Sequence, residues 1–216
     1  MKHFLFYIVL IFCGLNTQAQ INELGVFVGG TNYIGDIGPT DYIAPNEPSI
    51  GILYKWNRSP RHAYRFSYTQ GKLTARDIDS DVPSRYLRGN SFENSVKEFS
   101  AGLEFSFMDF DLHDGDPKFS PYVYSGLSYF IYDEIYILDN NSREDYQSST
   151  FAIPMVLGLK ARLFQNFIIG AEVGFRYTFT DNLDGSNPKN DNFETLRFGN
   201  LNSNDWYVFT GLTLTY

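Results

Sequence analysis

Apolar and polar residues alternate one by one through most of the chain, and no segment sustains the 3.6-residue period of a helix. In the C-terminal segment Trp206, Val208, Thr210, Leu212, Leu214 and Tyr216 share one face, while Tyr207, Phe209, Gly211, Thr213 and Thr215 share the other. Upstream, Phe167, Ile169, Ala171, Val173, Phe175, Tyr177 and Phe179 oppose Ile168, Gly170, Glu172, Gly174, Arg176 and Thr178. The same split sets Ile153, Met155, Leu157, Leu159 and Ala161 against Val156, Gly158, Lys160 and Arg162. It sets Phe99, Ala101, Leu103, Phe105 and Phe107 against Glu98, Ser100, Gly102, Glu104 and Ser106. Tyr64, Phe66 and Tyr68 oppose Arg65 and Ser67, and Ile50, Ile52, Tyr54 and Trp56 oppose Lys55. With further stretches at 22–31 and 119–132, the pattern predicts eight strands. Each reads as about nine residues or longer, the tilted span of a bilayer's hydrocarbon core.

One face of each strand is apolar and the other carries charge. A transmembrane barrel satisfies both, with lipid on the apolar side and a polar lumen on the other. The connections agree: they run long (32–47), short (58–60), long (75–94), medium (109–118), long (133–148), short (164–166) and long (181–203). A soluble sandwich has no reason to gather every long loop at one end. The expected fold is therefore all-β, an eight-stranded antiparallel transmembrane β-barrel with four long extracellular loops and short periplasmic turns, both termini being periplasmic. Trp56, Trp206, Tyr54, Tyr177, Phe179 and Tyr216 fall near strand ends, where amphipathic rings sit at headgroups. Pro154, inside the sixth strand, cannot donate to a ladder and implies a bulge or a strand top that projects beyond the membrane.

The start of the chain has a different character. Lys2, the apolar run Phe4 to Phe12 and the small-x-small site Thr17-Gln18-Ala19 read as a secretory signal peptide, 1–19, followed by a barrel domain, 20–216. Nine apolar residues are too few for a helical span of about twenty. Phe12 before Cys13 lacks the small residue of a lipidation site. The mature chain would carry no cysteine, hence no disulfide and no thiolate metal site.

The 216 residues carry a formal net charge of −8, which repels phosphate backbones and makes nucleic acid an unsuitable partner. Aromatic content of 18%, with 20 Phe and 16 Tyr, suits a chain of strands. Catalysis finds no recognisable constellation: beyond the leader only His62 and His113 remain, each by a turn, so a non-enzymatic role is expected. Asp77, Asp79 and Asp81 alternate like calcium ligands, but Val82 replaces the required glycine and Arg88 stands where the bidentate acid belongs. Asp109, Asp111, Asp114 and Asp116 crowd the medium turn, where Ser120 breaks the same frame. No metal or cofactor is expected.

Lys55, Arg65, Glu98, Glu104, Lys160, Arg162, Glu172 and Arg176 all take the inward parity. An eight-stranded barrel is just wide enough for side chains to fill, so these charges should pair across the lumen. Two readings stand: a salt-bridged plug that fixes register, and a path for protons or ions.

Several strings resemble the PorG-like outer-membrane proteins of the Bacteroidetes: Glu23-Leu24-Gly25-Val26-Phe27-Val28-Gly29-Gly30-Thr31-Asn32-Tyr33-Ile34-Gly35-Asp36-Ile37, Phe119-Ser120-Pro121-Tyr122-Val123-Tyr124-Ser125-Gly126-Leu127, Ala152-Ile153-Pro154, Phe179-Thr180-Asp181-Asn182-Leu183-Asp184 and Asn204-Asp205-Trp206-Tyr207-Val208-Phe209-Thr210-Gly211. They span nearly the whole mature chain in the expected order. The resemblance implies an accessory or anchoring barrel of the type IX secretion machinery, docked to a periplasmic ring of a PorK-like lipoprotein and a PorN-like partner. Gly211 to Tyr216 resembles the terminal signal read by the barrel-assembly machinery, with no further domain expected after it. Partner contacts would then lie on the periplasmic rim, at Arg58 and Arg61 in the first turn and Asp109, Asp111, His113, Asp114, Asp116 and Lys118 in the second. The alternative is a surface adhesion barrel acting through its long loops.

Overall fold

One-residue alternation of burial is what a strand shows when one face is packed and the other is open, and it recurs strand after strand here. The computed structural model describes residues 22–111, 119–164, 166–200 and 202–216; the expected leader at 1–19 lies outside them. Eight strands follow in order: β1 (Asn22–Ile34), β2 (Glu47–Ser59), β3 (His62–Arg76), β4 (Ser91–Ser106), β5 (Phe119–Leu138), β6 (Asn141–Phe164), β7 (Phe167–Thr178) and β8 (Trp206–Thr215). A short helix, α1 (Pro83–Arg88), lies between β3 and β4. Each strand pairs antiparallel with its sequence neighbours, and β1 pairs with β8 from Gly25↔Thr215 to Ile34↔Trp206, which closes the barrel. At that seam, a Cβ on Gly29 would lie 2.7 Å from the Gly211 Cα and 2.9 Å from the Phe27 ring, so the missing side chain is what lets Phe27 lie across the joint.

The outward faces present Leu24, Val28, Ile50, Ile52, Phe66, Phe99, Leu127, Leu157 and Leu212, each about half exposed. A continuous apolar belt of this size is not stable against water. Hydrocarbon removes the cost, at roughly 1.5–3 kcal/mol per side chain fully covered. The inward faces and the loop end hold the buried apolar cluster, including Phe27, Leu53, Leu73, Val96, Phe130, Tyr132, Tyr207 and Phe209.

The excursion at 133–148 differs from the expected loop. β5 and β6 continue as a two-stranded ribbon to a two-residue turn at Asp139 and Asn140, whose φ angles are 52° and 65°. Asp and Asn tolerate this left-handed pair, which is the turn that matches strand twist. Pro154 produces no bulge: pairing passes from Ser125↔Met155 to Ser128↔Ala152 without a change of register, leaving a gap in the ladder where the amide is missing. The β5–β6 bulge lies instead at Glu134/Ile135, and β6 does project past the ring, since β7 pairs with it only from Ala152 onward.

Candidate functional site: the charged lumen and its two seals

Period two carries Lys55 of β2, Arg65 of β3, Glu98 and Glu104 of β4, Lys160 of β6, and Glu172 and Arg176 of β7 inside, where they form two layers. In the layer nearer the chain termini, Glu104 receives Lys55 at 2.8 Å and Lys160 at 2.8 Å, with Arg65 at 3.9 Å. Arg65 forms a fork with Glu172 through bonds of 2.7 and 2.8 Å, and the Tyr122 hydroxyl donates to the same carboxylate at 2.6 Å. Lys55 and Lys160 lie over the Tyr122 ring at 5.3 and 5.6 Å, so its face shares their charge. In the second layer Arg176 grips Glu98, Nε at 3.0 Å from Oε2 and Nη2 at 3.1 Å from Oε1. The Tyr207 hydroxyl donates to Glu98 at 2.6 Å, and the Arg176 guanidinium lies 5.0 Å from the Phe209 ring. All of these charged groups are buried. Charge-assisted bonds of this kind are short and geometrically demanding, which suits them to fixing strand register.

Seven of the eight inward-parity charges meet in these layers. Arg162 does not: it is only partly buried near the end of β6, where the register shifts, and it donates to the Asp111 carbonyl at 2.8 Å. One buried acid on the first strand has no counterpart in the sequence reading. Glu23 accepts from the Thr215 hydroxyl at 2.6 Å and the Asn57 amide at 2.8 Å. Its signal was its parity with Phe27, masked by the glycines on both faces of β1.

Both ends of the lumen are stopped. At the terminus end the segment after β4 folds under the barrel: Phe110 is buried, its amide donates to Pro60 O at 2.9 Å, and its ring lies 4.9 Å from Lys160 Nζ. At the loop end Ile37 and Leu183 descend from two loops into the apolar cluster, each fully buried. Asp184 fixes the first of these loops by accepting from the Asp36 and Ile37 amides at 3.2 Å each. Asp205 fixes the second by accepting from the Leu183 amide at 2.8 Å, and it accepts the Tyr33 hydroxyl at 2.5 Å. Asn94 donates to Leu183 O at 2.8 Å, and Glu134 accepts from Lys189 at 2.6 Å. Ile37, Leu183, Asp184 and Asp205 lie in loops and carry no period, so alternation could not announce them, whereas Asn94 and Glu134 keep the inward parity of β4 and β5.

The alternating acids of the β3–β4 connection have protein partners. Asp77, fully buried, accepts from the Gly38 and Asn90 amides at 2.9 and 3.0 Å and forms a bidentate pair with Arg88 at 2.6 and 2.9 Å. Arg88 also donates to Asp36 O at 2.7 Å, and Arg85 donates to Gly38 O and Gly35 O at 2.8 Å each, so α1 clamps the first loop in place. Asp79 pairs with Arg76. Among the described residues no group of acidic or imidazole side chains is arranged to hold a metal ion. Burial first, then the Asp36 and Asp184 charges, push Asp181 up to about 6. Burial also raises Asp184 and Asp205, each further raised by a neighbouring carboxylate.

At the terminus-end rim, Arg61 bridges to Asp109 at 2.5 Å and the Arg61 carbonyl accepts from the Ser106 amide at 2.8 Å, so the two turns form one surface. Arg58 lies 4.8 Å from the Trp56 ring. Asp111 is held through its carbonyl by Arg162. His113, Asp114, Asp116 and Lys118 lie outside the described residues. His62 contacts Ser59 Oγ at 3.1 Å, but that hydroxyl accepts from the Arg61 and His62 amides at 3.3 and 3.0 Å and serves the turn.

Residues 2–216 match the family described as Domain of unknown function (DUF6089). No curated protein matches. Among solved structures, Neisserial surface protein A superposes with a TM-score of 0.52 at 11% identity, over 90% of this chain and 95% of that one. Ail, the attachment invasion locus protein of Yersinia pestis, gives 0.45 at 10% identity over 90% and 96%, and OprG from Pseudomonas aeruginosa 0.47 at 9% over 91% and 97%. The fold is that of the eight-stranded outer-membrane barrels.

Proposed function

We propose that this chain, which belongs to the DUF6089 family, sits in an outer membrane as a non-enzymatic, non-conducting barrel and anchors part of the type IX secretion machinery. The terminus end would face the periplasm and the loop end the exterior, with lipid around the apolar belt and the barrel-assembly machinery needed for insertion. The observation that carries the reading is the lumen stopped at both ends, by Phe110 below and by Ile37 and Leu183 above two layers of paired charge. A barrel that passes nothing acts through its surfaces. The rim joined by Arg61 and Asp109 supports a docking role toward a periplasmic ring of PorK-like and PorN-like proteins, as does the sequence resemblance.

Reversing Arg58→Glu, Arg61→Glu and Asp109→Lys together should remove ring proteins from pull-downs of gently solubilised envelopes while the barrel keeps its heat-modifiable mobility on gels. Unchanged co-purification would sink the anchor role. The β5–β6 ribbon, which stands clear of β7 beyond Ala152, favours a second reading as a surface-binding barrel. A deletion strain separates the two, since loss of type IX cargo secretion supports the anchor, and normal secretion with altered attachment supports the adhesin.

A further inference from the structure

The segment between β1 and β2 runs partly down the outside of the barrel. Asn32 and Val208 face outward by parity, side by side on β1 and β8, yet both are buried. The strap 41–45 covers Asn32. The Asn32 amide donates to Asp41 O at 3.2 Å and Tyr42 O at 3.4 Å, and its carbonyl accepts from the Ala44 amide at 3.4 Å. Pro45 lies against Gly30, where a Cβ would come within 2.7 Å of its ring. A polar amide on the apolar wall is thus satisfied by the strap's backbone, which pins the strap to that wall. Tyr42 and Ile43 remain exposed.

Beside the strap the wall is hollow. Ile34, Trp206 and Tyr42 bound one end of a groove that runs between Phe175, Met155 and Leu157 toward Val123, with small Ser125 among them, and its volume is about 740 Å³. It is continuous with the apolar belt and opens onto it. We propose that this groove holds one acyl chain of a lipid in the loop-end leaflet, with Tyr42 as its roof and Trp206 at its interfacial end. The wall alone would meet only rapidly exchanging lipid. A chain lying under Tyr42 is enclosed on more sides and leaves more slowly. Tyr and Trp, apolar in body and polar at the tip, are the residues suited to the level where chain meets headgroup.

The proposal rests on the membrane reading, and the test separates them. The full chain is folded into vesicles of palmitoyl-oleoyl phosphatidylcholine, extracted into dodecyl maltoside, and its retained phosphate counted per barrel. Wild type should retain about one phospholipid, and Ser125→Phe with Leu157→Phe, which fills the groove, should lower retention roughly tenfold. Tyr42→Ser should lower it in the same direction, while Val28→Phe, on the wall of β1 away from the groove, should leave it unchanged. Failure to reach a heat-modifiable form in vesicles would overturn the membrane reading. A folded wild type that retains no lipid, or a filled groove that retains as much as wild type, would overturn this one.

Discussion

Glu104→Gln offers the sharpest test of the lumen. The substitution keeps the shape and removes the charge from a fully buried carboxylate on which Lys55 and Lys160 both converge at 2.8 Å. Even at an effective dielectric near 20, each contact at that distance corresponds to about 6 kcal/mol of Coulomb attraction. Relaxation and water entry keep the cost of stranding a buried partner near ~3–5 kcal/mol. The third cation, Arg65, keeps its fork with Glu172 and limits the damage to the two lysines. With a urea slope of ~2 kcal/mol per M, the unfolding midpoint of the barrel in vesicles, followed by tryptophan fluorescence, should fall by roughly 2 M. Removing a whole pair should cost less: Glu98→Gln with Arg176→Met strands no charge in its layer, and the glutamine carbonyl can still accept from the Tyr207 hydroxyl. A midpoint shift below ~0.5 M for Glu104→Gln would mean that water screens the lumen and that the paired layers hold little.

Three further outcomes follow from the same geometry. Because Asp181, Asp184 and Asp205 have folded-state affinities for protons above the unfolded value, the loop-end seal takes up protons on folding; it should be strongest below ~pH 4 and weaken as pH rises through about 6, where Asp181 ionises. Hydrogen exchange at residues 181–186 slower at pH 8 than at pH 5, after correction for intrinsic rates, would contradict this. Arg88→Ala strands fully buried Asp77 and frees the first loop, at a local cost of ~3–5 kcal/mol. Limited proteolysis should then cut within 77–90 while the barrel stays intact, and a variant as resistant as wild type would show that α1 is not a clamp. Purified protein in planar bilayers should give no steady conductance; persistent open channels would remove the sealed lumen from the account.

The strands and their faces were legible because period two is written into each of them, and that alone placed Lys55, Arg65, Glu98, Glu104, Lys160, Glu172 and Arg176 inside. Partner identity was not legible. Parity says which way a side chain points, and only closure of the ring decides that Lys160 meets Glu104, 56 residues away. The ribbon at 133–148 looks like a loop in sequence because its Asp, Asn and Ser dilute the alternation; only Ile135 and Ile137, both before the Asp139-Asn140 turn, keep it, and their partners Glu144 and Ser142 are polar. Ile37, Leu183 and Phe110 were invisible for a different reason: single apolar residues in polar segments have no period, and their role exists only where segments distant in sequence converge. The strap is hidden similarly, since Asn32 falls at the start of the expected connection 32–47 and nothing in the sequence says which backbone it will meet.

The seam between first and last strand is clasped at both ends by a side chain on a buried acid, Thr215 on Glu23 and Tyr33 on Asp205, across 192 and 172 residues. Neither bond can form before the sheet has met itself. An eight-strand sheet one pairing short of a ring therefore leaves two acidic side chains without these donors, at ~1–3 kcal/mol for each that is already out of water. Such a sheet is discouraged from settling in the membrane half-made, and the two clasps act as a check that assembly has reached its last step.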